Sequence, residues 1–478
     1  MRKPPSFGWL ALGILLVTLG ELRFGIGPLA ILAPIPFLVF ARRSTAKRAA
    51  WVLPAYVLGW TLATAKICTA PLPLVAALGY GIPLGLGRAL AVLVHRALAP
   101  RLPERVAFLP FPVALVLLDF VQHAATPFAS WAAGAYAVLE SLPLQQLVAF
   151  TGLEGLSFLL YVLTALAAEL LLATDREAAW KRLAVGALAI AVVACLGEVR
   201  LSLTAEHTGP TVRVAAIDTL ATFGGLPLPT DAEVERVDAA LAERTRRAAA
   251  AGAELVVWTE ASSLVVRERE PSFQSFVAGL ARETHAYVVA GYILPTSLEP
   301  LHYENVYVVA SPEGRIVQRQ AKRQPVPGEP ADRGAPAPAV VRTPFGALAG
   351  AICYDYDFPR LALDHGERGV DLVALPSSDW RGIDPIHTRM AAYRAIENGH
   401  SIVRAARFGL HGIVDPYGRM RAMHSAFEPG DGILLAEVPR HGVRTWHSVL
   451  GDSGMVVFLG LFLALVARAL ARRETASP

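Results

Sequence analysis

"GALAGAICYDYDFP", residues 346–359, is the stretch whose reading decides the fold. It starts as a short apolar run and ends on a thiol, Cys353, with two acids close behind, Asp355 and Asp357. An apolar run of that length, bounded by polar residues, reads as a strand buried on both faces. The thiol at its end poses a chemical question. Neighbouring negative charge raises a thiol's pKa and makes it a poorer nucleophile. Either Cys353 is an inert core residue, or a base and a cation elsewhere in the chain activate it.

Working outward, the same kind of run recurs at "VRVAAID" (211–217), "AELVVWTE" (253–260), "AYVVAGYI" (286–293), "NVYVVAS" (305–311), "VDLVALPS" (370–377) and "HSIVRAARFG" (400–409). Helix-like stretches lie between several of them, at 231–251, 271–285, 357–368 and 384–398, and Thr230 or Asp231 is a fair N-cap for the first. Strands alternating with helices predict a layered α/β domain. The Pro- and Gly-rich stretch 327–340, "PGEPADRGAPAPAV", reads as a loop long enough to be functional.

The rest of the chain has a different composition. Mean hydropathy over all 478 residues is +0.43, and only 18% of residues are charged, against about 25% in an ordinary soluble protein. The deficit lies in residues 1–200 and the last thirty, which predicts a membrane part joined to a soluble one. A bilayer core needs roughly 20 apolar residues per helix. Spans are expected near 7–21, 25–41, 51–69, 72–95, 105–122, 155–174, 183–199 and 449–468. Lys and Arg follow the even-numbered spans and precede the first, with Arg2, Lys3, Arg42, Arg43, Arg96, Arg101, Arg176, Lys181, Arg472 and Arg473 among them. With eight spans, all these clusters fall on one side, so both termini are expected to be cytoplasmic and 200–447 to lie on the opposite face. The first apolar segment shows no small-residue cleavage site and is read as an uncleaved helix. The net charge of +4 is spread between apolar runs rather than gathered on one face, which argues against nucleic acid as a partner. Three cysteines give no disulfide framework. No zinc-like Cys/His spacing and no phosphate-binding glycine loop is present, so no metal and no cofactor are expected.

In an α/β domain, chemistry gathers where strands end. Glu260 ends one strand, Cys353 ends another, and Lys322 sits in "RQAKRQPVPGE" after a strand and turn. A thiol nucleophile needs a base for its proton and a donor for the oxyanion formed on attack. Glu260 suits the first role and Lys322 the second, with the backbone N–H of Tyr354 as a further donor. Taken alone, each has a plainer reading: a helix cap, a solvated lysine, a core cysteine. It is the order Glu, Lys, Cys on successive strand ends that favours chemistry.

These residues resemble the nitrilase, or carbon–nitrogen hydrolase, superfamily, which uses a Glu–Lys–Cys triad on an α-β-β-α sandwich. Residues 379–419, with Trp380, His387, Arg394, Glu397, Arg404 and Asp415-Pro416-Tyr417-Gly418, resemble the downstream pattern of a membrane-bound branch, the apolipoprotein N-acyltransferases. So does the connection at 130–160. The resemblance implies an eight-span membrane domain (1–200, with a last helix at 449–470) and a nitrilase-like catalytic domain at 205–445. It implies Glu260 as general base, Lys322 as oxyanion cation, Cys353 as nucleophile, Glu329 as a second glutamate ordering the triad, and Tyr354 beside the nucleophile. It also implies a phospholipid acyl donor, a Cys353 thioester, and a lipoprotein acceptor whose diacylglyceryl-cysteine amine takes the chain. The setting implied is the bacterial inner membrane, with the catalytic domain on the periplasmic face. Loops at 225–229 and 262–266 are expected to meet acyl chains. The sequence departs from the family pattern at Asp355, where glutamate is usual, in the "RQAK" and "PVPGE" contexts, and at Ser377-Ser378, where "TN" is usual. Those departures keep two alternatives open: a membrane-anchored amidase, or an acyltransferase for another amine. A non-catalytic membrane scaffold is a third reading.

Overall fold

The computed structural model describes residues 5–204, 209–219, 221, 223, 226–335 and 340–474. Arg2, Lys3, Gly225 and part of the 327–340 loop lie outside them. The chain divides into two compact units, Ala205–Val449 and Met1–Thr204 with Leu450–Pro478.

The first unit is a sandwich of two sheets. Its strands are β1 (Thr211–Ile217), β2 (Leu255–Trp258), β3 (Ser263–Leu264), β4 (Tyr287–Leu298), β5 (Leu301–Ser311), β6 (Arg315–Ala321), β7 (Val341–Thr343), β8 (Gly346–Gly350), β9 (Leu372–Ser378), β10 (Ser401–Arg407), β11 (Leu410–Val414), β12 (Met420–Ser425) and β13 (Ile433–Pro439). One sheet runs β13-β1-β2-β4-β5-β6, with β3 paired to β4, and the other β12-β11-β10-β9-β8-β7. The central pairs β1/β2, β2/β4, β8/β9 and β9/β10 are parallel. Parallel neighbours require a crossover. Helices supply it: Asp231–Ala250 joins β1 to β2, Pro359–Glu367 joins β8 to β9, and Ile386–Asn398 joins β9 to β10.

The period of two along each strand sorts side chains into layers. On β1, Val212, Val214 and Ala216 enter the core between the sheets with Leu348, Leu372, Ala374 and Val403. Ala215 and Ile217 turn the other way, onto Leu241, Ala248 and Val277 of the covering helices. The second sheet does the same with Ala362, Ala391 and Ala395. These strands therefore read as continuous apolar runs because both faces are covered. Helix Asp231–Ala250 starts where the capping residues require. Thr230 and Glu233 form a capping box, with Thr230 N–H donating to Glu233 Oε2 at 2.8 Å.

Several boundaries differ from expectation, two of them beside Cys353. The strand expected over 346–354 stops at Gly350, and residues 353–357 form a 3₁₀ turn. Cys353 takes φ +47° there, a left-handed conformation that costs a non-glycine residue about 1–3 kcal/mol. The helix expected from 357 starts at Pro359, because proline is preorganised for the first turn. The strands β6, β7 and β12 were not anticipated, since their polar, part-exposed sequences lack a continuous apolar run; the short buried β11 and the half-buried β13 were not anticipated either.

The second unit is helical. Among the described residues, four helices are long and apolar enough to cross a membrane by length and composition: Ala76–Arg101, Val148–Leu172, Arg176–Leu203 and Trp446–Arg472. Gly8–Gly20 and Pro110–Ala125 are apolar but shorter. The segment expected at 25–41 is broken into Gly27–Leu32 and Pro34–Arg43. Pro34 and Pro36 lack the N–H groups needed to continue one helix through it. On Arg176–Leu203, Val185, Leu188, Leu196 and Val199 are all exposed, an apolar surface of the kind that lipid covers. Inside the unit, Arg88 pairs with Asp119 at 3.0 Å and Tyr161 donates to the same carboxylate at 2.7 Å. A buried pair of this kind joins helices because neither charge can be left alone.

The two sheets approach closely beside Cys353. A Cβ added at Gly350 would lie 2.5 Å from Cζ of Tyr307. Gly350→Ala is therefore expected to cost about 1–3 kcal/mol, read as a lowered apparent melting temperature of the purified protein. The loss should shrink in a Tyr307→Leu background. Equal losses in both backgrounds would show that the two residues do not touch.

Candidate active site

The site is built from strand ends of both sheets. Glu260 follows β2, and Ala261 beyond it takes φ +49°, so the chain turns sharply and leaves the carboxylate at the end of the sheet. Lys322 follows β6, with its N–H on Asn305 O at 2.7 Å. Cys353 follows β8. The sheets are tied at this end by Glu260 N–H donating to Ser377 O at 3.3 Å, and the Cys353 thiol donates to Ser378 O at 3.4 Å. Glu260, Lys322 and Cys353 are 3%, 2% and 4% exposed, so no bulk water screens them.

Lys322 Nζ lies 2.8 Å from Glu260 Oε1 and 2.7 Å from Glu329 Oε2. Burial works against its charge, but Glu260 and Glu329 outweigh burial and hold the ammonium well above the usual lysine range. Asn305, on β5, donates to Glu260 Oε1 at 2.7 Å and to Glu329 Oε1 at 3.1 Å, bridging the two glutamates. Glu260 Oε1 thus takes two donors. Its Oε2 is buried and has no hydrogen-bond partner among the described residues. That oxygen is the acceptor left for a proton. Nothing in "NVYVVAS" singled out Asn305; a lone amide inside a buried apolar strand was the available signal.

The two acids that posed the opening question do not face the thiol as bare charges. Asp355 Oδ1 accepts from the N–H groups of Arg323 and Gln324 at 3.0 and 2.7 Å, and its Oδ2 accepts from Ile352 N–H at 3.0 Å. It clamps the lysine loop to the cysteine turn. Burial pushes its carboxyl up to about 6 against those donors. Asp357 accepts from His387 Nε2 at 2.8 Å. The thiol is pushed well above its usual range, first by burial and then by Glu260, while Lys322 pulls it down. Its neighbour Tyr354 is buried and packs edge-on against Phe358 at 5.5 Å.

Behind the nucleophile lies a chain of buried charge. His387 Nδ1 lies 2.7 Å from Asp379 Oδ1, and Arg404 grips Asp379 with two nitrogens at 3.0 and 2.7 Å. Burial opposes the imidazolium, yet Asp357 and Asp379 raise its pKa to about 9. Arg404 and His387 hold the Asp379 carboxyl below its usual range against burial. Cys353, Asp379 and His387 each offer a ligand atom within 4.8 Å of the others, a spacing a metal could use. The carboxylates on both ring nitrogens, and Arg404 on Asp379, already engage two of the three.

Two outcomes follow. Glu260→Gln removes a charge that raises the thiol, so iodoacetamide is expected to label Cys353 several-fold faster at pH 8. If Glu260 serves as the general base, the same variant should form an acyl adduct roughly 10²–10⁴-fold more slowly. Peptide mapping that distinguishes Cys353 from Cys68 and Cys195 reads the first, and adduct formation reads the second. If both rates fall, Glu260 is not the group opposing thiolate formation. The second concerns His387, whose folded pKa lies above its ordinary value of about 6.5. Its stabilisation is fully present below pH 6.5 and is lost as pH rises through about 9. The melting temperature of the wild type should fall over that window, and His387→Gln should flatten the fall.

Residues 219–448 match the carbon-nitrogen hydrolase family model, and residues 13–166 match the apolipoprotein N-acyltransferase N-terminal domain. The chain is 27% identical over 468 residues to an apolipoprotein N-acyltransferase of Geobacter metallireducens, covering 90% of this chain and 88% of that protein. It is 28% identical over 436 residues to one of Bradyrhizobium diazoefficiens, covering 84% and 80%. Among solved structures, an amidase from Nesterenkonia sp. is similar at 21% identity and a TM-score of 0.41, over 48% of this chain and 91% of that one. With both of its domains matched in order, and relatives aligned along most of its length, the chain is similar throughout to the apolipoprotein N-acyltransferases.

Proposed function

We propose that the protein moves a fatty acyl chain from a phospholipid, through a thioester on Cys353, to the N-terminal amine of a diacylglyceryl-cysteine lipoprotein. One observation carries the reading: the buried Lys322 ammonium lies between Glu260 and Glu329 and electrostatically coupled to Cys353, while Glu260 keeps a free oxygen. Glu260 is the general base, Lys322 the oxyanion cation and Cys353 the nucleophile, with Glu329 and Tyr354 supporting.

In the first half-reaction Glu260 takes the Sγ proton and the thiolate attacks the ester carbonyl of the donor. The carbonyl oxygen becomes an alkoxide beside Lys322 Nζ, which stabilises charge as it develops. Collapse breaks the ester C–O bond. The departing glycerol oxygen takes the proton from Glu260, and a lysophospholipid leaves. In the second half the acceptor amine attacks the thioester and gives its proton to Glu260. The C–S bond breaks, the sulfur recovers the proton, and an amide is left. The steps mirror each other, so one base and one cation serve both.

In this reading residues 1–200 supply seven spans and 449–470 the eighth, both termini are cytoplasmic, and 205–445 lies on the periplasmic face of the bacterial inner membrane. Both substrates are lipids, and a catalytic domain at that surface meets them without lifting either from the bilayer. The stretch 262–266 is the nearer candidate for touching acyl chains, with Val266 40% exposed directly after Leu264 and Val265.

The test has two parts. Incubating the purified protein with acyl-labelled phospholipid should place a hydroxylamine-sensitive label on Cys353, absent from Cys353→Ala. Mass spectrometry of a lipoprotein N-terminus should then show a third acyl chain in cells carrying the wild type and none with Cys353→Ala. A label without any change in the lipoproteins would favour another amine acceptor. No label at all would leave a non-catalytic scaffold.

A further inference from the structure

The strand that carries Arg404 carries a second buried arginine on its other face. Along β10 the side chains alternate. Val403 and Ala405 join the core between the two sheets, and Ile402 joins the layer under the helices. Arg404 continues the outer row and Arg407 the inner one. Arg407 therefore ends an apolar row at the edge of the inter-sheet core, and it is 6% exposed. Arg404 is matched by Asp379 at 2.7 Å. Arg407 has no such match: among the described residues its four hydrogen bonds all end on neutral oxygens. Burying a charge without a paired one is costly, so an arginine at this place calls for a reason.

Those four bonds join the parts of the site. Nε and Nη2 donate to Ser378 Oγ at 3.2 and 3.0 Å, and Nη1 donates to Ala261 O at 3.2 Å and to Ala221 O at 2.6 Å. Ser378 is the residue whose carbonyl takes the Cys353 thiol. Ala261 is the left-handed residue that turns the chain after Glu260. One guanidinium thus runs from the support of the sulfur in one sheet to the support of the carboxylate in the other. A planar fork reaches these residues at once, whereas lysine brings the same charge at a single point. The direct main-chain tie at this end, Glu260 N–H to Ser377 O, is long at 3.3 Å, so the side-chain bridge has a gap to hold. The charge matters too. Glu260 and Glu329 share one ammonium, Lys322, which leaves a negative charge over, and Arg407 supplies a second cation. Burial holds its guanidinium below the usual arginine range, against Glu260 first and then Asp218, Tyr303 and Cys353. Asp218, just after β1, lies 3.8 Å from His411.

We propose that Arg407 is a positioning residue for acyl transfer, one that ties the turn after Glu260 to the strand end supporting Cys353 and so fixes the path of the Sγ proton to the carboxylate. It acts through Ala261 and Ser378 rather than on the reacting atoms. Its charge, bound only to neutral partners, also favours the thiolate as the proton leaves. The proposal rests on the acyl-transfer reading above and deepens it.

The experiment compares two rates at Cys353 in the purified full-length protein, each measured well below the variant's melting temperature. Alkylation by iodoacetamide at pH 8 reads the thiolate. Formation of the acyl adduct from acyl-labelled phospholipid also needs the base in place. Arg407→Lys keeps the charge and loses the fork. It is expected to alkylate within about two-fold of wild type and to form the adduct about ten- to a hundred-fold more slowly. A loss of folding alone would move both rates together. Arg407→Met loses charge and fork, so its alkylation should slow as well. Ser378→Ala keeps the carbonyl that takes the thiol and removes both bonds from Arg407 to the hydroxyl. It should slow adduct formation too, and the double variant with Arg407→Lys should stay within about two-fold of Arg407→Lys alone. Losses that multiply in the double variant overturn the proposal, because the two residues would then act separately. Adduct formation at the wild-type rate in Arg407→Lys overturns it directly. Should the arginine variants not fold, wild-type adduct formation in Ser378→Ala does the same. A wild type that forms no adduct sinks the acyl-transfer reading and this proposal with it, whereas a wild type that labels no faster than Arg407→Lys sinks this proposal alone.

Discussion

A lysine ammonium removed from water must be matched by charge nearby, and Lys322, 2% exposed, is matched twice over. Desolvating such an ion costs several kcal/mol even after relaxation, so the fold around it tolerates little freedom. Glu260 must arrive from the end of β2, Glu329 from the turn beyond Lys322, and Asn305 from β5 to hold both carboxylates. Removing any one partner leaves a charge or a polar group buried and uncompensated. This pairing makes the site rigid without any help from a bound molecule.

The same charge arrangement governs the sulfur. Burial and Glu260 disfavour a resting thiolate, and Lys322 favours it. The outcome is a neutral thiol that donates to Ser378 O, beside a carboxylate with one unengaged oxygen. A neutral buried thiol is a poor target for oxidants and small electrophiles, because the thiolate is the reactive form. Proton transfer to Glu260 becomes favourable when the negative charge can move on to an oxygen near Lys322. Reactivity is therefore conditional on a carbonyl occupying the pocket, which suits the acyl transfer proposed above, where the acyl group must be withheld from water.

Much of this was legible in the chain. Buried strands declare themselves by unbroken apolar runs, and the ends of those runs at Glu260 and Cys353 are where the candidate site stands. Lys322 was legible only through its order between them, because one loop lysine looks like any other. What stayed hidden was whatever depends on tertiary pairing. Asp355 and Asp357 read as charges threatening the thiol, yet one is satisfied by three backbone N–H groups and the other by His387. Asn305 read as part of a strand. The edge strands β6 and β12 were invisible because their half-exposed, charged sequences carry weak periodicity. In the helical unit, prolines at 34 and 36 divide what composition alone reads as one apolar segment.

The departures from the family pattern fall mainly where the main chain does the work. At Ser377 and Ser378 the site takes backbone carbonyls, one from Glu260 N–H and one from the thiol, and a carbonyl is available from any residue there. Asp355 stands where glutamate is usual, and its shorter carboxylate still reaches three backbone N–H groups across the cysteine and lysine loops. A change of side chain at such positions alters how the loops are tied while the reacting groups keep their places. The Ser378 hydroxyl is put to use as well, accepting from Arg407, whose guanidinium also reaches Ala221 O and Ala261 O. Arg407 thereby links the turn after Glu260 to the strand end beside Cys353. The chemistry proposed here rests on three side chains at strand ends tied by backbone contacts.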